Sequence, residues 1–329
     1  MKKPIIAVHL GDMCGIGPEI TVKAFFNKDI IEGCSPLVIG NEKILNLGES
    51  IANKKLNYKK IKSVDEIDFI NYPINLLETN EIDDLPNLGE YSEVAGKLAG
   101  DYLMQILELC KEKLVDGFVF APFNKTSLKM GGYKVESENK LFAKFFECQD
   151  HVSEMNVIGD TWTSRVTSHI PIKEVSEFLT EDSIFGAIYQ AHQTLKRAGY
   201  QSPRIGVSAL NPHAGENGTC GREEIDVIAK AVSRAKSQGM DIKGPISADI
   251  IFIKALQKKE FDAVVTMYHD QGQIALKLVG FDSGVTVHAG LPIPITTPAH
   301  GSAFDIAGKN LAGTGAIENA FKMAIKMAK

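Results

Sequence analysis

The chain has 329 residues, 44% of them hydrophobic and 23% charged, with a formal net charge of −5. These proportions belong to a folded globular protein and exclude a disordered or collagen-like chain. The mild acidity speaks against a nucleic-acid-binding surface, and no apolar run approaches the ~18 residues of a membrane helix. Cys14, Cys34, Cys110, Cys148 and Cys220 form no CxxC pair and leave at least one thiol unpaired, which suits a reducing, cytoplasmic setting better than a disulfide scaffold. The apolar stretch behind Lys2 and Lys3 is only about six residues long, too short for a secretory core.

Taken in chain order, short β-rich runs alternate with longer helical patterns, the rhythm of a mostly parallel α/β sheet covered by helices. Strands are predicted at 4–9 (PIIAVH), 36–40 (PLVIG), 73–77 (PINLL), 117–121 (GFVFA), 205–210 (IGVSAL) and 262–268 (DAVVTMY). Helices are predicted near 17–27, 41–54, 91–114, 139–149, 182–197, 222–238, 248–258 and 314–328. The polar stretch 55–90 reads as surface connections around one strand. MNVIGDTWTSRVTS (155–168) breaks the rhythm, because two short strands around a Gly-Asp turn make a hairpin. A hairpin inside an α/β chain suggests a central domain, 129–284, inserted into one assembled from both chain ends, 1–128 and 285–329.

His169, His213 and His269 each stand where an apolar, β-branched run stops and a loop begins, in SRVTSHIP, IGVSALNPHAGE and FDAVVTMYHDQG. Open α/β sheets build their sites on the rim formed by strand carboxyl ends. Imidazole is the commonest side-chain ligand for a borderline divalent metal. One strand-end histidine is more often a hydrogen-bonded structural residue. Three in the same topological position point to a metal site. The ion stays open among zinc, manganese, cobalt, nickel and magnesium.

Two glycine-rich loops frame the chain. In GDMCGIGPEI (11–20), Gly11, Gly15 and Gly17 allow a tight turn and close backbone approach, and Pro18 suits the first turn of a helix. The spacing is not GxGxxG and no acidic residue is placed to grip a ribose, which argues against a Rossmann site. HGSAFDIAGKN (300–310) joins His300, the small residues Gly301, Ser302 and Ala303, Asp305 and Lys309. Small residues let a flat ring lie on the backbone, and Asp305 can accept from ribose hydroxyls or an adenine amino group.

GDxxGIGPEI and HGSAxDIAGK resemble the two ends of the isocitrate/isopropylmalate dehydrogenase superfamily, which binds NAD(P) without a Rossmann fold. LNPHAGENG (210–218), GPISAD (244–249), MYHDQGQIALKLVGF (267–281) and the His169 segment resemble the 4-hydroxythreonine-4-phosphate dehydrogenase family and its paralogues, from about residue 4 onward. The resemblance implies two α/β/α domains with a cleft between them. It implies NAD or NADP at Gly15, Gly17, His300, Gly301, Ser302, Asp305 and Lys309. It also implies one divalent ion on His169, His213 and His269, shared across a homodimer, with one ligand from the partner subunit. The implied reaction oxidises a small hydroxy acid, after which the 3-keto acid loses carbon dioxide. The general base is sought among Asp249, Asp270 and Lys125, unranked; for Asp270, orienting a metal-bound imidazole is as good a reading.

The resemblance also locates a changed substrate end. The family grips phosphate with Gly-His-Thr-Glu and a later Lys, Asn and Arg. Counting from Pro122 and Lys125, the His-Thr-Glu positions hold Glu138, Asn139 and Lys140; Lys277 persists, Thr286 replaces the Asn and Ile295 the Arg. Isoleucine removes a bidentate donor and Glu138 repels phosphate, which Lys140 offsets in part. The expected substrate is therefore a metal-chelating hydroxy acid other than 4-phosphohydroxythreonine, for example a non-phosphorylated cis-dihydrodiol dicarboxylate. Three other readings stand beside this one. Isocitrate-type enzymes use aspartate ligands and an arginine cluster, which is not found here. A three-histidine metallohydrolase needs no adenine loop. A non-catalytic metal- or metabolite-binding protein would tolerate the altered substrate end. His9 reads as structural, Trp162 as packing or interface, Arg222, Glu223 and Glu224 as capping charges, and His288 as either near the site or solvent-facing.

Overall fold

The computed structural model describes residues 3–148 and 152–329. Its strands are β1 (Ile5–His9), β2 (Ser35–Ile39), β3 (Tyr58–Ile61), β4 (Ile74–Leu77), β5 (Gly117–Phe120), β6 (Ser153–Ile158), β7 (Thr161–Arg165), β8 (Arg204–Ser208), β9 (Asp241–Ile246), β10 (Ala263–Thr266), β11 (Val285–Ala289) and β12 (Ile295–Pro298). The chain divides into two compact units. One comprises residues up to Glu147 with 285–287 and 291–329, and the other comprises 148–284 with 288–290. Residues 129–147, and with them Glu138, Asn139 and Lys140, therefore lie with the chain ends.

In the unit built from the chain ends the strands run β3-β4-β2-β1-β5-β12, each paired in parallel with its neighbours. Ile6, Ala7 and Val8 on β1 and Leu37, Val38 and Ile39 on β2 are wholly buried, as strands covered on both faces must be. Each such Val, Leu or Ile contributes about 1.5–3 kcal/mol. Two of the unit's helices start on side-chain caps: the Asn41 side chain accepts from the Lys43 amide ahead of Glu42–Ala52, and Ser92 from Ala95 ahead of Glu93–Lys111.

In the second unit the order is β6-β7-β10-β8-β9. β6 and β7 form the expected antiparallel hairpin, with Gly159 at φ +56° in its turn, and the other pairings are parallel. Trp162 is buried on β7, a packing residue. Ile251, Phe252, Ala255, Phe261 and Val264 form a core cluster.

The interior strands β11 and β12 are absent from the predicted set, and so, for a shared reason, are β3 and β9. The last two are the outermost strands of the two orders, and their sequences YKKI and DIKGPI carry the lysines and proline of edge strands rather than an apolar run. The helix His269–Gly280 is also unpredicted, since HDQGQ reads as loop punctuation.

Candidate active site

Three adjacent parallel strands, β7, β10 and β8, end on one edge of the second unit. His169 follows the end of β7, His269 the end of β10, and His213 the end of β8. The His169 and His269 rings meet, with centroids 5.7 Å apart and planes tilted by 41°. Both open onto a cavity of about 660 Å³, lined also by Thr167, Ile170, Tyr268 and Ile274. Asp270 Oδ1 lies 2.7 Å from His269 Nδ1, which fixes that nitrogen as the donor and leaves Nε2 with its lone pair. Two imidazoles sharing one tetrahedral ion through N–metal bonds of about 2.1 Å have centroids about 5 Å apart, so the pair fits a divalent ion as two of its ligands. His213 does not line the cavity, and among the described residues no three His, Cys, Asp or Glu side chains converge as a metal site.

The loops carrying these histidines are braced from below. Arg165, at the end of β7, donates through Nε to Ser168 Oγ at 2.6 Å, through Nη1 to Asn156 Oδ1 at 2.9 Å and through Nη2 to Glu154 Oε2 at 2.8 Å. The hairpin thereby fixes the residue before His169, itself at φ +41°. Gln271 accepts from the Met267 amide at 2.8 Å and donates to the Ala209 carbonyl at 2.9 Å, tying the His269 helix to the end of β8.

The His213 loop is the most unusual backbone of the unit. Residues 213–218 all have positive φ: 52°, 54°, 78°, 44°, 53° and 94°. That is a full left-handed turn, a conformation L-residues normally visit singly. Glu224, buried beneath it, accepts the Leu210 amide at 2.8 Å, the Asn211 amide at 2.7 Å and Asn211 Nδ2 at 3.0 Å. A Cβ on Gly215 would lie 2.6 Å from Glu224 Oε2. Glu223 takes Asn211 Nδ2 at 2.7 Å. Glu223 and Glu224 are thus braces of the histidine loop, not merely capping charges. The clue in the sequence is a pair of carboxylates soon after a glycine- and asparagine-rich loop.

The remaining candidates are placed as follows. Asp249 is exposed in the first turn of the helix Ala248–Phe252, and Lys277 is exposed on the helix His269–Gly280. In the other unit Lys125 Nζ lies 3.7 Å from Glu138 Oε2 and donates to the Glu136 carbonyl at 3.4 Å, while Lys140 pairs with Glu136 at 2.7 Å. Asn139 belongs to the same helix, Glu138–Phe145. Thr286 sits on β11 and is half-buried. Ile295 is 0% exposed and paired with Phe118 in the sheet, so its side chain belongs to the core and not to a substrate surface.

The glycine-rich loops meet in the unit built from the chain ends. Gly15 and Gly17 are buried, and a Cβ would lie 2.6 Å from the Ser302 carbonyl oxygen or 2.1 Å from that of Leu10. Both are packing glycines: Gly15 seats the C-terminal loop at Ser302, and Gly17 seats the helix start against Leu10. Gly301 is exposed, and a Cβ there meets nothing within 4 Å, the open floor a flat ring requires. Asp305 and Lys309 are exposed, with Lys309 Nζ donating to the Asp305 carbonyl at 2.7 Å, and His300 Nδ1 lies 3.0 Å from the Gly301 carbonyl. These residues fit an adenosine group.

Asp12 was not among the predicted site residues. It is buried, with Oδ1 accepting the Cys14 amide at 2.8 Å; burial pushes its carboxyl up, opposed by hydrogen bonds from Cys14 and Ser127. His9 is structural: Gly11 N–H donates to Nδ1 at 2.8 Å, Nε2 meets the Ala99 carbonyl at 2.9 Å, and burial lowers its pKa to about 4. His288 is buried rather than solvent-facing.

Residues 32–324 match the family of the pyridoxal phosphate biosynthetic protein PdxA. The chain belongs to the PdxA family. A Pseudomonas aeruginosa relative named as 4-hydroxythreonine-4-phosphate dehydrogenase 2 is 43% identical over 329 residues, covering 99% of this chain and 97% of its own. An Oceanobacillus iheyensis relative named as D-threonate 4-phosphate dehydrogenase is 35% identical, covering 99% and 98%. The crystal structure of 4-hydroxythreonine-4-phosphate dehydrogenase from Burkholderia phymatum superposes with TM-score 0.85 at 34% identity, over 99% of each chain. Terephthalate 1,2-cis-dihydrodiol dehydrogenase from Burkholderia xenovorans gives 0.68 at 25%, over 99% and 98%. The α/β fold is that of this PdxA family, and the protein is an oxidoreductase of the dehydrogenase type acting on a CH–OH group. No helix among the described residues is long and apolar enough to cross a membrane.

Proposed function

We propose that this PdxA-family protein is an NAD(P)- and divalent-metal-dependent dehydrogenase of a small hydroxy acid, active as a homodimer, with decarboxylation following oxidation. The observation that carries the reading is the His169–His269 pair, oriented by Asp270 and opening onto a cavity at the strand-end edge. His169 and His269 would hold the ion, with His213 completing the set across the dimer. The bound ion would supply Lewis acidity to a chelated hydroxyl. Asp270 holds His269 in the tautomer whose Nε2 can ligate, so it acts as the orienting residue, and Asp249 and Lys125 remain the proton acceptors to test. Ile170 and Ile274 contribute apolar side chains to the cavity wall. In the other unit Gly301, Ser302, Asp305 and Lys309 would receive the adenosine half, leaving the protein the task of positioning.

A second reading concerns the far end of the substrate. The relatives are named as dehydrogenases of 4-phosphates. Here Lys125 already faces the Glu138 carboxylate, so a doubly charged phosphate beside it would meet repulsion. That favours a distal group carrying less charge than phosphate. The test is a screen of hydroxy acids, with and without a 4-phosphate, against NAD or NADP and each divalent ion, following nicotinamide reduction and repeated with His269→Ala. Metal-dependent reduction that His269→Ala abolishes is expected, with 4-phosphohydroxythreonine below about 10⁴ M⁻¹s⁻¹ in kcat/KM. Hydrolysis without nicotinamide reduction would replace the dehydrogenase reading, and efficient turnover of that phosphate would remove the second one. Gel filtration coupled to light scattering decides the homodimer.

A further inference from the structure

The helix Gly17–Ala24 carries a charge pair, Glu19 buried and Lys23 half-buried, that no step of the proposed reaction uses. Glu19 has no exposed surface; its Oε1 accepts Lys23 Nζ at 2.6 Å and the Ala312 amide at 3.0 Å. Lys23 Nζ also donates to the Ala312 carbonyl at 3.0 Å and the Asn310 carbonyl at 3.3 Å. The three N–H donors of the ammonium are matched by three acceptors, two of them on the backbone of the C-terminal loop. At the start of the same helix Ile16 N–H donates to the Ser302 carbonyl at 3.0 Å. One rigid element therefore ties the loop at both ends, Ser302 and Asn310–Ala312. The exposed residues Asp305 and Lys309 lie between the ties.

A partly buried ion pair is a weak source of net stability, because desolvation offsets the attraction. Apolar residues would pack this helix at least as well. What the pair adds is a fixed span for the loop. We propose that Glu19 and Lys23 are positioning residues for the dinucleotide. They hold the 302–312 segment in the curvature that receives adenosine, and set its affinity without touching it. The inference rests on the proposed nucleotide role of that loop.

The test is calorimetric titration of NAD and NADP, without substrate, into wild type and into Glu19→Gln/Lys23→Met, which removes both charges at similar volume. Lys23→Arg serves as a second variant that keeps the charge but changes the donor geometry. The expected result is a melting temperature close to wild type with the dinucleotide Kd raised about tenfold in the double variant and several-fold in Lys23→Arg. KM for the dinucleotide rises in step while kcat holds. A Kd within twofold of wild type in either folded variant overturns the proposal and leaves the nucleotide loop standing. Wild type that binds neither dinucleotide overturns both.

Discussion

The left-handed turn that carries His213 makes Glu224→Ala the most informative single substitution. It removes the acceptor of three half-buried donors, the amides of Leu210 and Asn211 and the Asn211 side-chain amide. Hydrogen bonds to a charged group contribute about 1.5–3 kcal/mol each, so the brace of three is on the order of 4.5–9 kcal/mol. Against it stands the backbone cost of His213, Ala214, Glu216 and Asn217 in the left-handed region, about 1–2 kcal/mol per residue and therefore of similar total size. With the brace gone the turn unwinds, water solvates the orphaned amides, and the strain is released. The net loss of global stability is accordingly smaller than the brace, about 2–4 kcal/mol. Three readouts follow: a lower Tm by calorimetry, faster amide exchange across residues 210–220, and divalent-ion affinity reduced about 10- to 100-fold as His213 leaves its place. The Cys220 amide, bonded to the Gly215 carbonyl at 3.0 Å, is the reporter for the turn itself. Wild-type exchange at Cys220 together with wild-type ion affinity would refute the brace.

Three further substitutions probe the same frame. Asp270→Asn should leave the fold intact while lowering divalent-ion affinity about 10- to 100-fold, since the amide no longer selects the His269 tautomer; unchanged affinity in a cobalt titration would remove Asp270 from the orienting role. Ile295→Arg should fail to restore any grip on phosphate and should cost several kcal/mol, on the order of an unpaired buried charge, because position 295 is sheet core; a stable variant with better use of phosphorylated substrate would show the opposite. His9, lowered from 6.5 to about 4 by burial, stays neutral in the folded protein while the unfolded chain takes up its proton between those values. Stability should therefore fall as pH drops through that window, by about 3 kcal/mol at its lower end. Denaturant midpoints for wild type and His9→Gln across pH 4–7 check the slope, which should be shallower in the variant.

The α/β class was legible because buried parallel strands leave continuous apolar runs, and PIIAVH and DAVVTMY have no other good home than a covered sheet. What escaped notice was governed by position rather than by composition. YKKI and DIKGPI are strands because a neighbour offers them hydrogen bonds, and their polarity is the signature of the edge. The helix from His269 carries Gly272 and three polar side chains in its first turns, a pattern that local propensity assigns to a loop.

The site shows the same division between side-chain identity and backbone shape. Strand-end placement named His169 and His269, and the structure brings their rings together. It could not say that Gly15 and Gly17 face inward, because a glycine that admits a ligand and a glycine that admits another backbone look alike in sequence. Nor could it say that Ile295 is core. A position aligned with a phosphate-binding arginine keeps that label only if the side chain still reaches solvent, and here its surface is gone. The braces under the histidine loops are Arg165, Glu224 and Asp270, each hydrogen-bonded to the loop or ring it holds. Four of the six residues in the left-handed turn, His213, Ala214, Glu216 and Asn217, are held there against their own preference. Strain of that kind persists when the surrounding structure fixes it for a purpose. Whether the distal group of the substrate is a phosphate is the question that the substrate screen resolves.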